Sequence, residues 1–429
     1  SERFAAKERF GFFPSAGIGY IISNEAFWGI DKNIVSKLKL KATYGLVGND
    51  QIGSPNDRFF YLSNVNLDDS GRSYYWGTNF DYYVAGVSTS RYADPYITWE
   101  TSYKQNYGFE LGLFNKIELQ GDFFIERRKK ILQNRASIPT TMGLQSSPQA
   151  NIGETKGSGF ELSLDYDEVI SKDLWITARG NFTYAKAKYV VFEEPSYFDS
   201  PWRRETGAQL GQGRGLIAER LFVDDEDVRN SPRQDFGAYS AGDIKYKDIN
   251  NDGIINAKDI VPIGYPTSPE IIYGAGFSIG YKNFDFSSFF QGSARSSFWI
   301  ETTGADHVSP FGGDRALLKV IADDHWSETD RNIHAFWPRL SVGGMSNNNE
   351  RSTWFMRDGS FVRWKSAELG YTLPKDISRK ARVEVARLYL SATNLMSFSK
   401  FKLWDPEMAG NGLGYPLQRV INIGINLTF

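Results

Sequence analysis

The run DINNDGIINAKD, from Asp248, spaces its oxygen-bearing side chains as a hard cation requires. Asp248, Asn250 and Asp252 fall at positions one, three and five of a twelve-residue loop, with Gly253 at six, Ile254 at seven, Asn256 at nine and Asp259 at twelve. Ca2+ takes about six to eight oxygens, a glycine at six permits the sharp turn around them, and position seven offers a backbone carbonyl. The expectation is a structural Ca2+ site made by Asp248, Asn250, Asp252, Ile254, Asn256 and Asp259, bracing a long loop with little core of its own. Position twelve departs from the pattern, because a bidentate Glu is usual there and Asp is shorter. The flanks, YK before and IVPIGYP after, do not read as the helices of an EF-hand. The competing reading is an Asx-rich turn without metal.

Other candidates for chemistry are weaker. GQGRG at Gly211 lacks the G-x-x-x-x-G-K-[ST] spacing of a phosphate loop and reads as a flexible connection. His307, His325 and His334 have no zinc spacing. No Ser/His/Asp set or carboxylate pair stands out, so an enzyme is not expected. Tyr74, Tyr75 and Trp76 are consecutive, with Phe80, Tyr82 and Tyr83 close behind. Such a loop suits stacking on sugar rings, contact with a partner, or self-packing.

The elements that carry these loops have a period of two. Phe109, Leu111 and Leu113 alternate with Glu110 and Gly112, and Asn115 and Lys116 suit a tight hairpin. Ile117, Leu119, Phe123 and Ile125 then alternate with Glu118, Gln120, Asp122 and Glu126. Leu38, Leu40, Ala42 and Tyr44 alternate with Lys37, Lys39, Lys41 and Thr43; Phe160, Leu162, Leu164 and Tyr166 alternate with Glu161, Ser163 and Asp165. Near Trp364 the parity slips, from Val362 and Trp364 to Ala367, Leu369 and Tyr371, which reads as a β-bulge.

Strands are expected at 8–22, 36–47, 98–114, 117–133, 154–170, 174–192, 270–282, 284–300, 357–373, 385–400 and 417–429. They match or exceed the roughly 9–11 residues that cross a bilayer at a tilt. Connections alternate between long (48–97, 134–153, 193–269, 301–356 and the shorter 401–416) and short (23–35, 115–116, 171–173, 283, 374–384). A soluble sandwich has no reason to keep every second loop short, whereas an outer-membrane barrel has short periplasmic turns and long extracellular loops. The loops 48–97, 193–269 and 301–356 are therefore expected outside the cell.

Composition agrees. The 429 residues contain no Cys, 15% aromatics and a net charge of −2, which argues against a nucleic-acid partner. No stretch approaches the roughly 18 apolar residues of a membrane helix, but a barrel spans with strands whose lumen side is polar. The last strand alternates Ile421, Ile423, Ile425 and Leu427 with Asn422, Gly424, Asn426 and Thr428, and ends on Phe429. In outer-membrane proteins a terminal Phe resembles an assembly signal.

A run of motifs along the whole chain resembles the SusC/RagA family of TonB-dependent outer-membrane transporters. FGFFPSAGIGYIISNEAFW from Phe10, LKLKATYGLVGN from Leu38, ITWETSYKQNYGFELGLF from Ile97, SIPTTMGL from Ser137 and NIGETKGSGFELSL from Asn151 occur in the family's order. HWSETDRNIHAFWPRL, DGSFVRWKSAELGYTLP, LYLSATNLMSFSKFKLWDPE and YPLQRVINIGINLTF follow. The resemblance implies import of oligosaccharide or peptide substrates with a SusD-like surface lipoprotein, in the outer membrane of a Gram-negative, Bacteroidetes-like bacterium. It also implies a roughly 22-stranded barrel, an N-terminal plug and a TonB-contacting segment. Neither plug nor TonB segment is found in the sequence. The expected fold class is thus all-β: a transmembrane antiparallel β-barrel, of which residues 1–429 are the C-terminal portion, about half. Its partners would be the remaining N-terminal part of the barrel, TonB through the plug, the lipoprotein and outer-membrane lipid. The rival readings are a passive pore and a soluble calcium-containing carbohydrate-binding β protein.

Overall fold

The computed structural model describes residues 1–302, 317–380 and 382–429. Eleven strands form one antiparallel sheet: β1 Ser15–Ile21, β2 Val35–Asn49, β3 Glu100–Leu113, β4 Ile117–Asn134, β5 Gln149–Ser171, β6 Leu174–Val191, β7 Ile271–Tyr281, β8 Phe284–Ala294, β9 Phe361–Thr372, β10 Val385–Ser399 and β11 Val420–Thr428. Each pairs with its neighbours in the chain, so the sheet is an up-and-down meander. Its two edges are β1 and β11, which do not pair with each other.

Period two sorts the side chains between two faces. Across one lateral row, Leu40 faces Phe109, Phe109 faces Gly121, Gly121 faces Leu162 and Leu162 faces Phe182. The next row, on the opposite face, runs Lys39, Glu110, Gln120, Ser163 and Asn181. The apolar face is bare: Ile18, Leu40, Phe123, Leu164, Phe277 and Leu390 are all exposed, and Ile423 is 83% exposed. A soluble sheet buries that face; a membrane wall turns it to lipid.

The bulge near Trp364 is present. Trp364 pairs with Phe290 and Met396, Ser366 with Phe289 and Thr393, and Lys365 is the extra residue. Trp364 and Ala367 therefore share the apolar face despite their opposite parity. The Trp364 indole stacks on Phe290 at 5.8 Å and donates to Ser288 Oγ at 2.8 Å.

Several boundaries differ from the sequence expectation. Residues 8–14 are not strand, because Phe13 and Phe4 pack on Trp99 at 5.3 Å each, folding the start of the chain over the wall. The strand expected at 284–300 breaks at Arg295, whose φ is +56°, and Ser297–Trp299 pairs separately with Met356–Asp358. The hairpin expected at Asn115 and Lys116 centres one residue earlier. Phe114 and Asn115 have φ of +56° and +53°, and the Lys116 N–H closes the turn on Leu113 O at 3.0 Å. The primed turn that matches strand twist needs positive φ at both central residues. Loop 48–97 contains an unexpected hairpin of its own, Asn64–Trp76 with Tyr82–Arg91.

The deepest core is not in the sheet. Leu216, Leu221, Ile244, Tyr246, Ile255, Phe298, Ile300, Ile321, Trp326, Trp337, Phe355 and Phe401 are buried together, drawn from the segments 192–270, 295–360 and 400–419. This corrects the expectation that loop 193–269 has little core: three loops share one. Because the meander reverses at every strand, all the long connections leave the same edge of the wall, where they can meet.

Candidate functional site

The polar face of the wall is built from charge pairs laid across strands. Lys39 Nζ lies 2.9 Å from Glu110 and Lys37 Nζ 2.7 Å from the same carboxylate. Lys37 also reaches Glu118 at 3.1 Å, and Lys41 reaches Asp122 at 3.0 Å. In both longer pairs the residue between the partners is a glycine, Gly112 or Gly108. At the other side of the sheet Arg387 on β10 joins Asp285 on β8 and Glu368 on β9, across Gly370. A Cβ on Gly370 would stand 2.3 Å from the Arg387 guanidinium. Glu110, Glu118 and Asp122 thus share the polar face as expected, and so do Glu161 and Asp165 by register.

Near the loop end this face holds a pocket of about 550 Å³. Glu100, Glu126 and Arg128 line one side, with Arg128 3.5 Å from Glu100 and 3.1 Å from Glu126. Tyr189 and Phe192 line another, edge to face at 5.1 Å. A charged wall opposite two rings suits an oligomer with polar groups and apolar faces. Sequence reading missed it, because Glu100 on β3, the Glu126 and Arg128 pair on β4 and Tyr189 on β6 meet only through the register.

The three long loops form a canopy over that edge, and buried polar side chains stitch it together. Gln234 donates to Asn347 Oδ1 at 2.8 Å and to Ile244 O at 3.0 Å, while Tyr246 N donates to Gln234 Oε1 at 2.7 Å. Ile244 N donates to Asn348 Oδ1 at 2.9 Å, and Asn348 Nδ2 donates to Asp243 Oδ1 at 2.8 Å. Arg339 meets Asp243 at 2.9 Å. Burial pushes the Tyr246 phenol up, so it stays a donor to Asn347 O at 2.6 Å. A buried network of this kind specifies how two loops dock. The canopy is fastened to the wall's polar face by Arg363, which is buried and lies 2.6 Å from Asp405 and 2.7 Å from Glu407.

The Asp248–Asp259 loop is tied to its own backbone. Asp248 accepts from Asn251 N at 2.7 Å and Gly253 N at 2.8 Å, and Asp252 accepts from Ile254 N at 3.0 Å. Asn256 caps the short helix Ala257–Asp259 through Lys258 N. Asp259 is fully buried and accepts from Ile249 N and Asn256 N, each at 2.8 Å. Among the described residues no group of three or more His, Asp or Glu side chains is placed to hold a metal. Ile254 pairs with Arg233 in a short parallel bridge.

The remaining candidates have structural places. Gln212 of GQGRG bonds to Ile263 O and Gly264 O at 3.0 and 2.9 Å, and a Cβ at Gly215 would strike Arg351 O at 2.4 Å, so the glycines permit close packing. His325 bonds to Ala322 O at 2.9 Å; His307 lies outside the described residues. In the aromatic hairpin Tyr74 meets Trp76, and Tyr75 meets Tyr83, at 5.2 Å each, yet all four rings stay exposed. Phe429 follows β11 and is 84% exposed.

Over residues 2–395 the chain matches the family described as TonB dependent receptor-like, beta-barrel. It is 27% identical to TonB-dependent receptor P3 of Formosa agariphila, across all of this chain and 43% of that protein. It is 24% identical to TonB-dependent receptor SusC of Bacteroides thetaiotaomicron, across all of this chain and 41% of that protein. Solved structures of the RagAB peptide transporter, and of the RagAB peptide importer in its open-open state, share the fold with TM-scores of 0.71 and 0.72. Their identities are 21% and 22%, over the whole of this chain and 44% of each of theirs. The chain spans less than half the length of these relatives.

Proposed function

The chain belongs to the TonB dependent receptor-like β-barrel family, and from that premise we propose that it forms part of the wall of a SusC/RagA-like importer in the outer membrane of a Bacteroidetes-type bacterium. The observation that carries this reading is the two-faced meander: a bare apolar face, a charge-paired polar face, and every long loop at one edge. The canopy edge faces outside the cell, and the turns at Phe114–Lys116, Lys172–Asp173 and Lys282–Asn283 face the periplasm. The polar face wets the lumen. The pocket of Glu100, Glu126, Arg128, Tyr189 and Phe192 contacts oligosaccharide or peptide on its way through. A SusD-like lipoprotein meets the canopy, and TonB acts through a plug domain seated against the polar face. The protein moves its substrate and does no covalent chemistry on it. The exposed apolar face argues against a soluble carbohydrate-binding protein, which would aggregate through it.

Uptake by cells carrying the whole transporter tests the reading. Labelled oligosaccharide or peptide should enter uncleaved, and entry should stop when the inner membrane is de-energised. Uptake that continues without energy would make the protein a passive pore.

Ca2+ at Asp248–Asp259 belongs to the same proposal. Asp248, Asn250 and Asp252 gather on one turn, where their oxygens accept from the turn's own N–H groups, and the ion would take over those oxygens and clamp the turn.

A further inference from the structure

The apolar face carries an unbalanced row of cations at its loop end. Arg127 on β4 lies directly opposite Lys156 on β5, and Lys156 directly opposite Lys188 on β6. By period two all three share the face of Phe123, Phe160 and Tyr184. Lys129 is two residues further along β4, its ammonium 5.4 Å over the Tyr103 ring, and Lys186 is two residues nearer the membrane on β6. Against these five cations the same patch offers one carboxylate, Glu154, which pairs with Arg127. Lys156, Lys186 and Lys188 are exposed, and among the described residues none of them has an ion-pair partner.

Like charges directly opposite each other destabilise a sheet. On the other face the same wall avoids this: Lys37, Lys39 and Lys41 are each matched to Glu110, Glu118 or Asp122. The difference between the faces is what touches them. Four residues from the cation row lies the aromatic row Tyr107, Phe123, Phe160 and Tyr184. Four residues are about 13 Å along a strand, or about 9 Å of depth at a 45° tilt. That step leads from the edge of the hydrocarbon to the level of lipid phosphates.

We propose that Arg127, Lys129, Lys156, Lys186 and Lys188 seat the phosphate groups of anionic lipid in the leaflet at the canopy edge. The seat rests on the reading of the sheet as a membrane wall. The lipid supplies the counter-charge that the chain omits, and fixes how deep β4, β5 and β6 sit.

The test uses the whole transporter, as wild type and as the triple variant Lys156→Gln, Lys186→Gln, Lys188→Gln, with Lys400→Gln as a control far from the patch. Proteins are placed in nanodiscs of phosphatidylcholine doped with phosphatidylglycerol, and bound anionic lipid is counted by native mass spectrometry. Heat-modifiable gel mobility reports folding and insertion separately. Each cation near a membrane surface contributes about fivefold to affinity for anionic lipid. The triple variant should therefore bind phosphatidylglycerol on the order of a hundredfold more weakly, while Lys400→Gln is unchanged. Equal retention by a correctly inserted triple variant overturns the seat and leaves the wall reading intact. Equal stabilisation of wild type by inorganic phosphate alone also overturns it, since the source would then be a free anion. A wild type that never inserts fails the wall reading first, and the seat with it.

Discussion

Lys41 and Asp122 form an ion pair at 3.0 Å although their strands, β2 and β4, are not neighbours. The strand between them contributes Gly108, and the pair closes over the gap where a side chain would stand. A Cβ there would lie 2.3 Å from Lys41 Cε and 2.5 Å from Asp122 Oδ1. The glycine is therefore a notch in the lumen surface that lets charges pair across two strand spacings. Both side chains keep some solvent contact, so a Lys41→Ala, Asp122→Ala double-mutant cycle should give a coupling of about 0.5–1 kcal/mol. In a Gly108→Val background the coupling should vanish. The temperature at which heat-modifiable gel mobility is lost provides the measurement.

Sidedness follows from the meander. With cysteines introduced singly into a chain that has none, a membrane-impermeant maleimide on intact cells should label Asp69→Cys and leave Asn115→Cys unreacted. Asp69 lies on the exposed aromatic hairpin in a long loop, and Asn115 lies in the three-residue turn at the opposite edge. Labelling of Asn115→Cys alone would reverse the assigned orientation.

The canopy should respond to acid through Asp227. Asp227 accepts hydrogen bonds from Arg220, Lys245 and Val223 N, and the Arg220 guanidinium above all holds its carboxyl well below the usual carboxylate range. A depressed folded pKa means that the stabilisation is full above the unfolded value, near 3.9, and is lost as pH falls through the folded one. Proteolysis within 192–270 should therefore stay slow down to about pH 4 and accelerate below it. Asp227→Asn should accelerate it at neutral pH, at a cost of about 2 kcal/mol, and flatten the acid response. Barrel mobility on gels should not change in either case.

Strand positions were readable in the sequence because one face of the wall is mostly apolar and the other mostly polar, so the residue types alternate with period two. Even the bulge at Lys365 announced itself, since one inserted residue flips parity and Ala367, Leu369 and Tyr371 record the flip. What stayed hidden depends on contacts distant in the chain. Asn347 and Asn348 look like loop residues, and only Gln234 and Asp243, over a hundred residues away, make them buried. Trp337 and Phe355 follow no period, because the canopy core is assembled from irregular segments. The turn at Phe114 was misplaced because nothing in an aromatic side chain signals positive φ. The pocket residues Arg128 and Tyr189 come together only through the register of β4, β5 and β6.

Calcium has a direct readout. If the ion clamps the exposed turn, millimolar Ca2+ should slow proteolysis around Asn250 several-fold relative to chelator, and Asp248→Ala should erase the difference without altering barrel mobility. Asp259→Ala is a different experiment, because that buried carboxylate ties Ile249 and Asn256 together with or without metal. It should loosen the loop under both conditions. Identical proteolysis of wild type in calcium and in chelator would leave the loop as a metal-free Asx turn.

The edges of the sheet set the last expectation. β1 and β11 each have one side without a strand partner. Both are bare: every residue of β1 is exposed, and on β11 Ile421 is 62% and Ile425 55% exposed. In hydrocarbon every unpaired N–H and C=O costs several kcal/mol, and an open edge presents a whole row of them. The relatives, more than twice as long, have chain enough to supply further strands between the two edges. Residues 1–429 made alone should therefore aggregate or fail to insert, and should not run as a heat-resistant monomer. Co-expression with a segment that supplies the partner strands should restore that band. Crosslinks between cysteines placed on β1 and β11, in a monomer of residues 1–429 alone, would show instead that the eleven strands close on themselves and that the pore is small.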